Sequence, residues 1–214
     1  MKKYCENCGQ EMPNKDLHLV VILDESGSMG SIWDSTISGI NEFIQSQNIK
    51  DGKTWVTVTK FDTIFKRVYE RADISQFRPF TKETYTPSGC TSLYDAIGDT
   101  LNRIRKGTEK IMVVIMTDGE ENSSHQHSFQ SIRNLIEAKK TQGWEFTFLG
   151  ANMDSYAVGG AMGINTTVNW RPTNVGMRGM TQSMAAYTTS YRTTGNVMSS
   201  SDLQNLVDNN ENEA

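Results

Sequence analysis

The sequence has few cysteines and no long apolar run, and each shortage excludes a class of protein. Three cysteines in 214 residues, an odd number, do not form the disulfide framework of a small secreted domain, so we expect a reducing, cytoplasmic location. The apolar runs at residues 20–23 and 111–116 are far too short to cross a bilayer, so we expect no membrane partner. The first eight residues carry lysine, cysteine and acid where a secretory signal needs an apolar core.

An excess of positive charge and the common catalytic signatures are also missing. The net charge is -4, so no overall basic field favours nucleic acid, and we expect no nucleic-acid partner. The sequence contains no Walker phosphate loop, no G-x-G-x-x-G after a strand and no H-E-x-x-H. Nucleotide-dependent chemistry and zinc proteolysis therefore have no support.

The sequence does contain an alternation of strand and helix patterns. Residues 17–23 and 110–116 are continuous apolar runs rich in valine and isoleucine, as expected for parallel strands buried on both faces. Apolar residues recur at helical spacing within residues 37–47, 93–104 and 129–136. This alternation predicts an α/β, Rossmann-like fold with a mostly parallel central sheet and helices on both faces.

The remaining patterns set the edges of that sheet. Residues 55–61 and 64–69 are joined by two residues, which predicts an antiparallel hairpin at one edge. Residues 166–170 predict a last edge strand, and residues 173–191 predict a final helix. We divide the chain into an N-terminal segment at 1–15, a domain at 16–195 and an acidic, disordered tail at 196–214.

The run from Asp24 to Ser28, directly after the first predicted strand, is the most informative feature. Alternate residues of an extended segment point to one side, so the side chains of Asp24, Ser26 and Ser28 could converge. Asp118 follows the strand at 110–116, and carboxyl ends of parallel strands share one edge. Thr91, at the start of a predicted helix, could cap that helix or reach a metal. Carboxylate and hydroxyl donors favour Mg²⁺ or Mn²⁺ over zinc.

These residues resemble the von Willebrand factor type A domain family. Asp24-Glu25-Ser26-Gly27-Ser28 matches the D-x-S-x-S signature, Thr91 the isolated threonine, and Thr117-Asp118-Gly119 the distal aspartate motif. The resemblance covers about residues 15–170 and implies a metal-ion-dependent adhesion site. It implies that Ser26, Ser28 and Thr91 contact a Mg²⁺, Mn²⁺ or Ca²⁺ ion directly, while Asp24 and Asp118 act largely through water.

The same resemblance carries an expected function. The stretches at residues 33–43, 91–98 and 119–124 are similar to small stand-alone intracellular members found in bacteria and their phages. Cys90 departs from the family, which usually has a small residue beside the threonine. We expect a non-enzymatic interaction module, whose metal ion has one open position that accepts an Asp or Glu side chain of a protein partner.

Cys5 and Cys8, followed by Gly9, resemble one knuckle of a zinc ribbon, and the second knuckle is missing. Zinc held between two chains, each giving Cys5 and Cys8, would make a homodimer. A binding protein that assembles through this segment, with a merely structural ion at the Asp24 loop, is the alternative function. Cysteines with no metal role are the other reading of this pair.

His125 and His127 follow Asp118 in the order of a Ser-Asp-His hydrolase, with Ser26 or Ser28 as the serine. The G-x-S-x-G turn that exposes such a nucleophile is absent, so we interpret both histidines as exposed loop residues.

Aromatic residues near the same edge allow two interpretations. Trp33 follows the metal loop, and Phe77, Phe80 and Tyr85 lie in the predicted loop at 73–89. They could form an interface or pack their own loop. His18, within the first strand pattern, is interpreted as a packed residue.

Overall fold

The structure, a computed structural model, describes residues 14–212 and contains one six-stranded sheet. The strands are β1 (Leu17–Asp24), β2 (Thr54–Phe61), β3 (Phe65–Asp73), β4 (Lys110–Thr117), β5 (Trp144–Gly150) and β6 (Thr166–Asn169). Their order is β3-β2-β1-β4-β5-β6, and every neighbouring pair is parallel except β2 and β3. The predicted mostly parallel sheet with an antiparallel edge hairpin is confirmed.

Six helices cover the two faces of the sheet within the described residues. They are α1 (Trp33–Ser46), α2 (Leu93–Arg103), α3 (Phe129–Thr141), α4 (Ser155–Ala161), α5 (Asn174–Thr194) and α6 (Ser200–Asn212). Buried side chains of α1, α5 and α6 share one apolar cluster with one face of β1. Those of α2 and α3 share a second cluster with the opposite face, and Val158 of α4 packs against it.

Strand β1 shows why this layering follows from the sequence. Leu19, Val21 and Leu23 point into the first cluster, whereas Val20 and Ile22 point into the second. All five side chains are fully buried, because successive residues of a strand face opposite sides and both sides carry helices. A continuous apolar run is therefore required at the centre of the sheet.

The strand order fixes where loops converge. The chain runs outward from β1 through β2 to β3, and then returns to the other side of β1 as β4. The order of strands reverses between β1 and β4, which is where ligands bind in open α/β sheets. Asp24 ends β1 and Thr117 ends β4, so both lie at this point.

The prediction of a disordered tail at 196–214 is wrong for residues 200–212, which form α6. Leu203 and Val207 are one helical turn apart and fully buried in the cluster with α5. A narrow apolar stripe suffices here, because polar side chains of α6 add hydrogen bonds to β6 and α5.

The aromatic side chains of the loop at 73–89 are buried in the first apolar cluster rather than exposed to solvent. Phe77, Phe80 and Tyr85 are buried, and their rings lie in successive contact with centroids 5.9 and 6.5 Å apart. The interface interpretation is therefore wrong for these three. His18 is also buried, as expected, and its Nε2 lies 2.8 Å from Thr57 Oγ1. None of the helices in residues 14–212 combines the length and apolar character needed to cross a membrane.

Candidate metal centre

Asp24 is the innermost residue of the candidate centre. It is fully buried at the end of β1. Its Oδ1 accepts a hydrogen bond from the backbone N–H of Ser26 at 2.6 Å, and its Oδ2 accepts one from Thr117 Oγ1 at 2.5 Å. The carboxylate thereby joins the loop after β1 to the end of β4.

A chain of hydroxyls continues outward from Asp24. Ser26 Oγ lies 3.2 Å from Ser28 Oγ, and Ser28 Oγ donates to Asp118 Oδ1 at 2.6 Å. Ser26 and Asp118 are buried, whereas Ser28 is exposed. The structure therefore brings Asp24, Ser26, Ser28 and Asp118 together at one edge of the sheet.

Thr91 reaches the same place from a third loop. A Cβ placed on Gly119 would lie 3.4 Å from Thr91 Oγ1 and 3.8 Å from Ser28 Oγ. Both hydroxyls therefore border the space over Gly119, beside Asp118. All five predicted site residues line this one rim, which we call the five-residue rim.

The two carboxylates of the five-residue rim have no countercharge in the part of the chain that the structure describes. No lysine, arginine or histidine within residues 14–212 forms an ion pair with Asp24 or Asp118. Burial raises the pKa of Asp24 to about 6, although hydrogen bonds from Thr117 and Ser26 act in the opposite direction. Burial also raises the pKa of Asp118. Buried carboxylates are costly unless paired or bound to metal, so this donor set fits a hard divalent cation.

The floor beneath the rim contains a buried ion pair. Lys60 Nζ donates to Glu25 Oε1 at 2.6 Å, and both side chains are almost fully buried. Glu25 Oε1 also accepts from the backbone N–H of Thr86, and the Glu25 carbonyl accepts from that of Ser88. The second residue of the D-x-S-x-S motif thus anchors the loop that leads to Thr91.

Tyr85 ties the same loop to β1 and α1. Its hydroxyl donates to the Asp24 carbonyl at 2.6 Å, and its own carbonyl accepts from Trp33 Nε1 at 2.7 Å. Trp33, half-buried, therefore has a structural hydrogen bond as well as an exposed side.

The segment after Asp118 supplies residues that the sequence analysis missed. Asn122 Oδ1 accepts from the Thr91 backbone N–H at 2.9 Å, and the Thr91 carbonyl accepts from the Asn122 N–H at 3.0 Å. Glu121 Oε2 accepts from Tyr94 N–H at 2.9 Å, in the first turn of α2. Asn122 and Glu121 therefore hold Thr91 in place relative to Asp118. No local sequence pattern indicates these contacts, because the bonded residues are about 30 positions apart.

The structure does not support a helix-capping role for the side chains of Ser26 and Thr91. Ser26 precedes a short 3₁₀ turn and makes no side-chain cap to it. The Thr91 hydroxyl has no hydrogen-bond partner within residues 14–212, and the first turn of α2 is capped by Glu121 and Ser124 instead. Neither hydroxyl is therefore used as a helix cap.

The two histidines of the hydrolase alternative lie apart from the serines. The backbone N–H groups of His125 and His127 donate to Asp95, at 2.9 and 2.8 Å. The His127 ring packs over Gly98 of α2, where an added Cβ would lie 2.4 Å from Nε2. In the described part of the chain, neither imidazole hydrogen-bonds Ser26, Ser28 or Asp118.

The cysteines fall in two regions. Cys90 is exposed and immediately precedes Thr91, and its N–H donates to Thr63 Oγ1 at 3.0 Å. Cys5 and Cys8 lie outside the described residues. Across residues 14–212, no group of three or more His, Cys, Asp or Glu side chains is placed to hold a metal. The five-residue rim contains two carboxylates, and its other three donors are hydroxyls.

Comparison with known families identifies the chain. The von Willebrand factor type A domain family matches residues 18–209, so the chain belongs to this family. No curated protein matches the sequence significantly. Domains of this family are typically protein-interaction modules and are generally non-catalytic.

Solved structures support the same fold. The von Willebrand factor domain of the type V pilus tip protein Mfa5 from Porphyromonas gingivalis superposes with a TM-score of 0.64 at 11% identity, covering 86% of this chain and 98% of that one. Proximal thread matrix protein 1 from the mussel byssus gives 0.62 at 11% identity, covering 83% and 48%. The pilus adhesin SpaC from Lactobacillus rhamnosus GG gives 0.60 at 15% identity, covering 85% and 32%. The chain thus spans about half the byssus protein and a third of SpaC, and the likeness concerns the fold.

Proposed function

We propose that this protein is a metal-dependent interaction module, which uses a divalent cation at the five-residue rim to bind a carboxylate of a protein partner. The observation that carries the proposal is the pair Asp24 and Asp118. These two buried carboxylates lie at the switch point of the sheet, and neither has a basic partner among residues 14–212. A divalent ion would compensate their charge.

The roles of the donors follow from their positions. Ser28 and Thr91 present neutral hydroxyls toward the space beside Gly119, Ser26 Oγ lies 3.2 Å from Ser28 Oγ, and all three would bind the ion directly. Asp24 already accepts two hydrogen bonds and would act largely through water. Asp118 would do the same through Ser28 and solvent. Oxygen donors of this kind select Mg²⁺, Mn²⁺ or Ca²⁺.

The partner chemistry follows from charge. An ion held by two carboxylates and three neutral hydroxyls keeps a coordination position for an outside ligand, and the exposed side of Ser28 marks where that ligand enters. An Asp or Glu side chain is the hard, anionic oxygen donor that a protein surface offers. A cytoplasmic location remains part of this proposal.

Calorimetry with Mn²⁺ tests the metal step. Ser28→Ala and Asp118→Asn should weaken Mn²⁺ binding at least tenfold, because each removes a donor of the five-residue rim without adding bulk. Asp51→Ala is the matched control, since the Asp51 side chain is 80% exposed and, among residues 14–212, forms an ion pair only with Lys15, in the segment that enters β1. Mn²⁺ binding that is equal in all four proteins would contradict the site.

Partner capture tests the second step and separates the alternative function. Retention of a partner should be lost in EDTA and in Ser28→Ala, and should survive removal of residues 1–13. The truncation stops there because Asn14 Nδ2 donates to the Thr108 carbonyl and the Lys15 carbonyl accepts from Arg192. Retention that is indifferent to EDTA but lost on truncation would instead support assembly through Cys5 and Cys8.

A further inference from the structure

A basic cleft lies at the other end of β1 from the metal rim. Its volume is about 440 Å³, within the range of small-molecule sites, and it is bordered by β3 and the segment after α2. His18 forms part of its floor and precedes Asp24 by six residues on the same strand, a separation of roughly 20 Å. The cleft is therefore distinct from the five-residue rim.

Arg71 is held in this cleft in a strained conformation. Its φ of 46° is left-handed, in a non-glycine residue, beside irregular pairing of β2 with β3. Its N–H donates to Thr57 Oγ1 at 2.9 Å, and its guanidinium lies 4.5 Å from the centre of the Trp55 ring. Strained residues that persist in a fold tend to mark functional sites.

One N–H group of the Arg71 guanidinium is held by neighbouring side chains, whereas the other nitrogens have no partner among residues 14–212. Nη1 donates to Glu109 Oε1 at 2.5 Å and faces His18 Nδ1 at 3.5 Å. Nε and Nη2 have no partner within residues 14–212, and the side chain is 41% exposed. A fixed guanidinium with free N–H donors matches the planar fork that binds oxyanions in bidentate geometry.

His18 contributes position rather than charge. A guanidinium only donates, so Nδ1 of His18 must be the acceptor, and Nε2–H then donates to Thr57 Oγ1 at 2.8 Å. Burial, with Arg71 as the second cause, lowers the pKa of His18 to about 4. The His18 ring is therefore neutral near pH 7, and its Nδ1 helps to hold Nη1 of Arg71 in place.

The cleft carries an excess of positive charge. Five cationic side chains border it: Arg67, Arg71, Arg103, Arg105 and Lys106. Three carboxylates lie among them. Glu70 borders the cleft, Glu109 pairs with Arg71, and Asp99 is shared by Arg67 and Arg103. Arg105 has no ion pair in the described part of the chain. The five cations exceed the three carboxylates by two positive charges, which balances the two negative charges of a phosphate monoester dianion.

We propose that this cleft binds a small organic phosphate, whose phosphate group is held by the free N–H donors of Arg71 together with Arg105. The apolar stems of the arginines and the side chain of Ile104 form the walls against which the organic part packs. The proposal is independent of the metal centre.

Titration with AMP and with inorganic phosphate, each in EDTA, tests the proposal. EDTA removes any cation from the five-residue rim, so that phosphate cannot bind there through a metal. AMP should bind with a millimolar or better dissociation constant and should shift the ring resonance of His18, one of three histidines in the chain. Inorganic phosphate should bind more weakly, since it lacks the organic part.

Two variants locate the binding. Arg71→Lys keeps the charge but loses the fork, and Arg105→Gln removes a side chain that has no ion pair within residues 14–212. Each should weaken AMP at least tenfold, whereas Arg133→Gln, an exposed arginine on α3, should leave it unchanged. The proposal is overturned if the parent protein does not bind AMP at millimolar concentration, if Arg105→Gln binds as well as Arg133→Gln, or if phosphate binds as tightly as AMP.

Discussion

The side-chain amide of Gln204 pairs with the backbone of Asn169 on strand β6. Gln204 Oε1 accepts from the Asn169 N–H at 2.9 Å, and Nε2 donates to the Asn169 carbonyl at 2.9 Å. Ser200 Oγ likewise accepts from the Thr167 N–H at 2.8 Å. Strand β6 is an edge of the sheet, so α6 covers hydrogen-bonding groups that another chain could otherwise pair with.

Replacement of Gln204 should therefore weaken the fold and expose an edge. Gln204→Ala removes both hydrogen bonds to Asn169, and we expect a loss of roughly 1–3 kcal/mol in the free energy of unfolding by urea. Increased self-association in sedimentation should accompany it. Gln130→Ala is the control, because in the described part of the chain the Gln130 side chain hydrogen-bonds only Asn134, on an exposed helix surface. An equal loss of unfolding free energy in the two variants would contradict a stabilising role for the contact between Gln204 and β6.

Loss of Lys60 should be more damaging than loss of the whole ion pair. Lys60→Met leaves the Glu25 carboxylate buried without its cation, at a cost of about 3–5 kcal/mol. Adding Glu25→Gln removes the unpaired charge and should restore part of that loss. A double-mutant cycle of urea unfolding measures the coupling. Strict additivity would mean that the two side chains act independently.

The contribution of His18 to stability should fall on mild acidification. Its pKa is about 4 in the folded protein, against an ordinary value of 6.5, so protons bind the unfolded chain better. This contribution is complete above pH 6.5 and is lost as the pH falls toward 4. Between pH 7 and pH 5 we expect a loss of about 2 kcal/mol from this residue. Urea unfolding of His18→Gln over the same pH range should show a smaller loss of stability than the parent protein. An identical pH dependence in the two proteins would contradict the role of His18.

A methyl group at Gly119 should block the candidate metal centre while sparing the fold. A Cβ there would meet Thr91 Oγ1 and Ser28 Oγ at ordinary contact distances of 3.4 and 3.8 Å. We expect Gly119→Ala to bind Mn²⁺ at least tenfold more weakly, with its melting temperature little changed. Gly160→Ala is the matched control, since nothing lies within 4 Å of its added Cβ. Undiminished Mn²⁺ binding in Gly119→Ala would place the ion elsewhere.

Much of the fold and the candidate site is predictable because the relevant signals are local. The apolar run of β1 must be buried on both faces, and its alternate side chains enter the two clusters. Asp24 ends β1, and Ser26 and Ser28 follow within four residues, so one loop carries all three, with Ser28 in a 3₁₀ turn rather than in an extended segment. Asp118 required only the rule that parallel strands share a carboxyl edge, whereas Thr91 is indicated only by its match to the isolated threonine of the family.

The sequence by itself determined the strands, their parallel arrangement and the loop that carries Asp24, Ser26 and Ser28, because each depends on short-range patterns. Only the tertiary structure decided that Lys60 neutralises Glu25 and that Asn122 fixes Thr91. It also decided that α6 is ordered against β6 and that Arg71 is held by His18. These contacts join residues about 30 or more positions apart. Their formation depends on how loops and helices pack around the finished sheet, which no local pattern specifies.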